Sequence, residues 1–274
     1  MLYTLRRGFT MLELVMVIVI LGIVSSIGAE IIANVYEGYI VQRAQHRASI
    51  KTELAATQIA NRLAYAIPGT VVRKHVLGDI NGTDITQVAA GNPRILQWVG
   101  ADMDSFNASS PVGGVFLPGW SGFCDLDASP QGSMLTPGSN LGLTGVIRNN
   151  LGMVQIPRIY FPRKTGLYSS IIAAMPMNGN STPLVDLLPK QKVEHYKLAL
   201  SSYALEARAN GELWLYYNFA PLRAVAIAGN SQILLRNVTT FRFRGDGRTI
   251  RFKICVNENI GDSNISVCKE KAVF

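Results

Sequence analysis

Between residues 9 and 29 the chain is apolar at every position except Glu13, Thr10, Gly22, Ser25, Ser26 and Gly28, and only Glu13 is charged. The stretch continues to Ile32. About 20 such residues cross a bilayer as a helix, so the pattern predicts a membrane-spanning helix over 9–32. No proline occurs between Phe9 and Ile67. Ala55, Ala56, Ile59, Leu63, Ala66 and Ile67 recur at helical spacing, with Arg43, Arg47, Lys51 and Arg62 at other angles. The spacing predicts that one helix runs from Thr10 to Ala66, on the order of 85 Å long. Pro68-Gly69 ends it. Its second half, 33–67, is amphipathic and lays an apolar stripe on a head formed by 68–274.

The pattern then changes twice. Residues 69–190 are rich in Gly, Pro, Asn and Ser, with short apolar runs at 95–99, 114–117 and 159–161. This predicts short strands and long loops whose order the pattern leaves open. From Tyr196 the period is that of strands, at 196–206, 212–219, 223–227, 233–235, 239–244 and 249–256. Gly245-Asp246-Gly247 joins the last two as a hairpin. Phe241 and Phe243 alternate with Arg242 and Arg244, and Ile250, Phe252 and Ile254 with Arg251 and Lys253. Each strand therefore has one apolar and one basic face. The predicted fold class is α+β, a long N-terminal helix packed on an antiparallel sheet.

Composition adds bounds. The 274 residues suffice for a sizeable core, and 48% hydrophobic against 16% charged residues argues against disorder. Arg6 and Arg7 account for two of the +8 charges, so the chain without residues 1–8 carries +6. This mild basic excess fits anionic lipid, nucleic acid or an acidic partner and selects none. Arg6 and Arg7 precede the apolar stretch, which by the positive-inside rule keeps the N-terminus cytoplasmic and exports the residues beyond 32. A secretory signal is cut after its apolar region. Here the cuttable Gly8 precedes that region, so cleavage there keeps the helix on the mature protein.

Glu13 is the fifth residue after Gly8. A carboxylate in an apolar span costs roughly 2–3 kcal/mol or more and usually has a partner. One candidate is the free amine of a neighbouring subunit's Phe9, largely cationic with a pKa of about 8. The other reading is a carboxylate that snorkels to the headgroups.

Arg-Arg-Gly-Phe-Thr-Met-Leu-Glu-Leu, residues 6–14, resembles the processing motif of type IV prepilins and type II secretion pseudopilins. The resemblance implies cleavage by a prepilin peptidase between Gly8 and Phe9, N-methylation of Phe9, and docking of the helix into a filament core through Glu13. It implies as partners other pilin or pseudopilin subunits, the peptidase/methyltransferase, membrane lipid and an assembly platform in a bacterial inner membrane. Many major pilins have a helix-kinking proline where this chain has Glu30, which leaves a straighter helix. The strands around 233–252 resemble the C-terminal strands of larger minor pilins and pseudopilins. The expected function is a minor subunit that primes or caps a type IV pilus, DNA-uptake pilus or secretion pseudopilus. The alternative is a binding module displayed on such a filament, an adhesin or DNA receptor.

Other candidate chemistry is sparse. Cys255 and Cys268 would lie in an oxidising periplasm, and C-terminal disulfide loops are frequent in pilins, so a bond closing the loop 256–267 is expected. Two buried thiols are the other reading, and Cys124 is left over as a small buried apolar residue. Asp79-Ile80-Asn81-Gly82-Thr83-Asp84 has the alternating oxygens of a calcium loop, as in some pseudopilin heads, but no distal glutamate; a polar turn is the competing reading. Gly119-Trp120-Ser121-Gly122-Phe123 lacks the second glycine of a nucleophile elbow. No phosphate loop or metal-spaced histidine pair is present, so no enzyme is expected. The basic face of Arg242, Arg244, Arg251 and Lys253 suits either DNA phosphates or a solvated or subunit-contact surface.

Overall fold

The computed structural model describes residues 10–88, 91–163, 166–172, 179–185, 192–260 and 263–274. Helix α1 (Met11–Leu63) starts at Thr10, whose side chain accepts the Glu13 N–H as N-cap. Its 53 residues make it about 80 Å long. The helix stops at Leu63 rather than Ala66, with Ala64 as C-cap, because Ala66 leaves the helix to bridge Gly100. Pro68 therefore lies beyond a turn and is not itself the stop.

Among the described residues, strands and two short helices make up the head. They are β1 (Val72–Lys74), β2 (Thr83–Asp84), β3 (Ile95–Gly100), α2 (Met103–Asn107), β4 (Ser109–Val112), β5 (Val115–Pro118), β6 (Ser133–Leu135) and α3 (Leu141–Asn150). Then come β7 (Arg158–Arg163), β8 (Gly166–Ile172), β9 (Ser181–Val185), β10 (Lys197–Ala199), β11 (Ser201–Ala207) and β12 (Leu213–Phe219). Last are β13 (Asn230–Leu235), β14 (Val238–Asp246), β15 (Thr249–Ile260) and β16 (Ser263–Val273). The α+β class expected from the sequence is the observed one.

Three main sheets form, in the orders β13-β12-β11-β3-β1-β2, β10-β7-β8-β9-β6 and β14-β15-β16, with β4-β5 as a separate hairpin. Every described pairing is antiparallel. The run at 95–99 becomes β3, a strand buried on both faces at the centre of the six-stranded sheet. The expected strand at 196–206 is two strands in different sheets, divided at Leu200. The expected strand at 223–227 is not one. There the Ile227 N–H pairs with Leu77 O, while the Val225 carbonyl accepts from the buried Lys74 ammonium. The final hairpin turns at Gly247-Arg248, with Asp246 opposite Thr249 and Gly247 at φ +59°. That backbone region favours glycine.

The main core lies where α1 meets two sheets. Ala55, Ala56, Ile59 and Leu63 pack with Leu96, Trp98, Leu205 and Leu215 on one side and Phe252, Ile254, Val256 and Val273 on the other. The two alanines, 3 and 0% exposed, let the sheets approach the helix closely. A second core around Trp120, Met134, Leu141, Phe161 and Tyr196 holds the five-stranded sheet, with Cys124 buried in it as a free thiol.

Candidate functional site: the N-terminal helix and its anchorage to the head

Thr10 and Glu13 have the spacing of a helix-capping pair, Thr-x-x-Glu. The Glu13 N–H lies 3.4 Å from the Thr10 hydroxyl and 3.1 Å from the Thr10 carbonyl. Glu13 is thereby fixed in the first turn of α1, beside N–H groups that no helical carbonyl satisfies. The positive end of the helix dipole favours a carboxylate there. Thr10 acts through this cap, a role visible in its spacing to Glu13 but absent from the hydrophobic pattern. Gly8 and Phe9 lie outside the described residues.

From Met11 to Ile32 the large apolar side chains are exposed around the whole helix circumference, Met11 at 88% and Ile32 at 70%. No described part of the head covers them. Residues 11–32 span about 33 Å at helical rise, against a hydrocarbon core of about 30 Å. By length and composition α1 is able to cross a membrane. Glu13 and Glu30, near the two ends of this segment, are its only charges.

Beyond the exposed segment, α1 is fastened to the head. Ala48, Thr52, Ala55, Ala56, Ile59 and Leu63 form its buried face. At the flank of that face, Glu53 accepts from Lys271 Nζ and lies 3.5 Å from Lys269 Nζ, both on β16. The Lys271 hydrogen bond leads in holding the Glu53 carboxyl below its ordinary range. Sequence spacing cannot show this contact, because its two sides are more than 200 residues apart in the chain.

The structure bonds Cys255 to Cys268. They are direct cross-strand partners in β15–β16, so the bond does not close a free loop over 256–267. It cross-links a hairpin whose ladder runs on to Ile260 and Ser263.

The basic residues meet as the alternation predicts. Arg242 stands opposite Lys253 and Arg244 opposite Arg251, on the face of the hairpin away from the core, while Phe241 and Phe243 face the core side opposite Ile254 and Phe252.

The acidic turn at 79–84 is held by the protein's own groups. Asp79 Oδ1 accepts the Asn81 N–H at 3.0 Å, and Asp84 Oδ2 pairs with Arg223 at 3.2 Å. The Lys74 ammonium, on a fully buried residue, donates to the Asp79 carbonyl at 2.6 Å and the Val225 carbonyl at 2.5 Å. Among the described residues no group of three His, Cys, Asp or Glu side chains converges as a metal site.

Ser121 belongs to a knot of hydroxyls. Its Oγ lies 3.2 Å from Thr136 Oγ1 and 3.0 Å from Ser139 Oγ, and Thr136 also meets Tyr196 OH at 2.8 Å. Burial pushes the Tyr196 phenol up, so it stays protonated. None of these partners is an imidazole or carboxylate able to take a proton from Ser121. The knot ties three loops together around the second core.

Residues 4–29 match the family described as the prokaryotic N-terminal methylation motif. The match starts at residue 4 and ends within the first part of α1; the head lies outside it. Comparison with curated proteins and with solved structures found no match. The chain thus carries the prokaryotic N-terminal methylation motif, consistent with a type IV pilin or pseudopilin, on a helix long and apolar enough to cross a membrane, with an antiparallel β head after it.

Proposed function

We propose that this protein is a minor pilin or pseudopilin that primes or caps a filament assembled from a bacterial inner membrane. Prepilin peptidase cuts between Gly8 and Phe9, and the new Phe9 amine is methylated. The N-terminus faces the cytoplasm and residues 68–274 form a periplasmic head. Residues 9–32 serve first as membrane anchor and then as filament core.

The observation that carries this reading is the exposed apolar helix with Glu13 held in its first turn by Thr10. A carboxylate so placed, one turn from a new N-terminus, is suited to receive the ammonium of an adjacent subunit's Phe9. Pairing would neutralise two charges in an apolar core and set the stagger between neighbouring helices. The size of the head favours a minor position, since a bulky head packs poorly in a long repeating filament. The Cys255–Cys268 bond fits an oxidising compartment.

The test is the mass of the N-terminal peptide from membrane-purified protein. A peptide beginning at methylated Phe9 is the expected result. A retained Met1 leader, in cells that process other prepilins, would leave a plain membrane anchor and end the filament reading.

A further inference from the structure

A cleft of about 470 Å³ opens where the ends of β3 and β11 meet the start of β14. Its lining includes Arg94, Arg208, Arg242, Thr240 and Asn92, but no Asp or Glu; Thr239 also lines it, with its hydroxyl donating to the Cys255 carbonyl at 3.3 Å. Arg208 is preset: its Nε donates to Glu206 Oε2 at 2.9 Å and its Nη2 to Tyr216 OH at 2.7 Å. Its guanidinium also lies 4.0 Å from the Trp214 ring centroid. Arg94 and Arg242 are exposed and form no ion pair with a carboxylate among the described residues.

Two further features point outward from the chain. The β14–β15 register skips between Val238 and Thr240, a bulge at the cleft, and bulges re-aim side chains. From the cleft the cationic surface continues over the outer face of the same hairpin, Arg242 against Lys253 and Arg244 against Arg251. Like charges directly opposite in a ladder destabilise it. The chain supplies one carboxylate in register there, Glu270 opposite Lys253. Asp246 follows on the same face of β14, two residues beyond Arg244 and opposite Thr249, and forms no ion pair with these cations among the described residues.

Guanidinium forks match the oxygens of phosphate and carboxylate groups. A carboxylate presents one charge and two oxygens. The two guanidinium groups of Arg94 and Arg242, with Thr240 and the Glu206-held Arg208 beside them, suit a multiply charged tetrahedral oxyanion better. We propose that the cleft binds an oxyanion of the phosphate class, and that the face of Arg242, Arg244, Arg251 and Lys253 receives further groups of the same phosphate chain. The source is either a free polyphosphate or the backbone of a phosphodiester polymer. The site belongs to the head and does not depend on the filament reading.

The test uses the full chain in maltoside micelles at low salt, titrated calorimetrically with sodium tripolyphosphate, a mixed-sequence single-stranded oligonucleotide and poly-glutamate. Saturable tripolyphosphate binding is expected, weakening as salt rises. The double variant Arg94→Gln/Arg242→Gln should lower its affinity at least about tenfold while the unliganded melting temperature stays unchanged, because both residues are exposed. An oligonucleotide that competes with tripolyphosphate, and loses affinity in Arg244→Gln/Arg251→Gln, identifies the polymer as source. Tripolyphosphate binding alone identifies the free polyanion. Poly-glutamate bound as tightly as tripolyphosphate would overturn the proposal in favour of an acidic protein partner. It is equally overturned if tripolyphosphate does not bind, or binds the Arg94/Arg242 variant unchanged.

Discussion

Glu53 on α1 and Lys271 on β16 are hydrogen-bonded across the seam between the helix and the C-terminal sheet. Lys269, two residues earlier on the same face of β16, backs the pair at 3.5 Å. Because Lys271 holds the carboxyl below its ordinary value of 4.5, the unfolded chain binds that proton more tightly than the folded one. The stabilisation is therefore present above about pH 4.5 and is lost as pH falls through the lowered folded-state value. Glu53→Gln should lower the melting temperature slightly at pH 7 and not at all well below that value. Glu53 is exposed enough for salt to screen the pair, so the difference should also shrink at high ionic strength. A difference that persists in acid would remove the ion pair as its cause.

Ile59 sits at the centre of the helix–sheet core at 1% exposure. Ile59→Ala should cost about 2–5 kcal/mol, read from denaturant unfolding. Ile50, on the same helix but 47% exposed, provides the control. Ile50→Ala should stay within about 0.5 kcal/mol.

The cross-strand bond between Cys255 and Cys268 constrains the unfolded chain more than it shapes the fold, since the ladder already sets their register. Cys255→Ser/Cys268→Ser should cost about 3 kcal/mol on the chain-entropy account. Thiol labelling of the denatured, unreduced protein should find one reactive cysteine, Cys124. Three would show that the bond is not formed.

Asp102 caps α2, its Oδ1 accepting the Ser105 N–H at 3.2 Å, while its Oδ2 is buried without a partner. Burial pushes this carboxyl up from 3.8, so the fold binds its proton more tightly than the unfolded chain. The cost of the buried charge is complete above the folded-state value and is relieved as pH falls through it. Asn caps as well as Asp does. Asp102→Asn should therefore be at least as stable as the parent at pH 7, with the advantage fading in acid. Chemical denaturation at pH 7 and pH 3 would read both.

Glu13 makes no contact with the described head, which packs on α1 only much further along the helix. Glu13→Gln should leave membrane insertion and head stability unchanged and abolish incorporation into filaments. Co-purification with sheared filaments, against total membrane protein, measures it. Normal incorporation would show that the carboxylate is not the docking group.

Local order is legible without the structure wherever neighbours in sequence are neighbours in space. The apolar run, the stripe at Ala55, Ala56, Ile59 and Leu63, and the alternation in β14 and β15 each depend on one period. The expectations that fail are those a distant segment decides. Leu200 divides two strands because β10 pairs with β7 while β11 pairs with β3. Residues 223–227 look like a strand by composition, yet their backbone is engaged by Lys74 and Leu77 from far upstream.

What the sequence determined by itself is therefore the long helix, its exposed apolar segment with Glu13, and the basic-faced hairpin. Hydrophobic periodicity is a property of neighbouring residues and needs no distant partner to be read. Only the tertiary structure decided the order of the strands in 69–190, the seam of Glu53 with Lys269 and Lys271, and the meeting of Arg94, Arg208 and Arg242 around one cleft. Sheet pairing and ion pairing join residues of any separation, and which ones meet depends on how the whole chain buries its apolar faces.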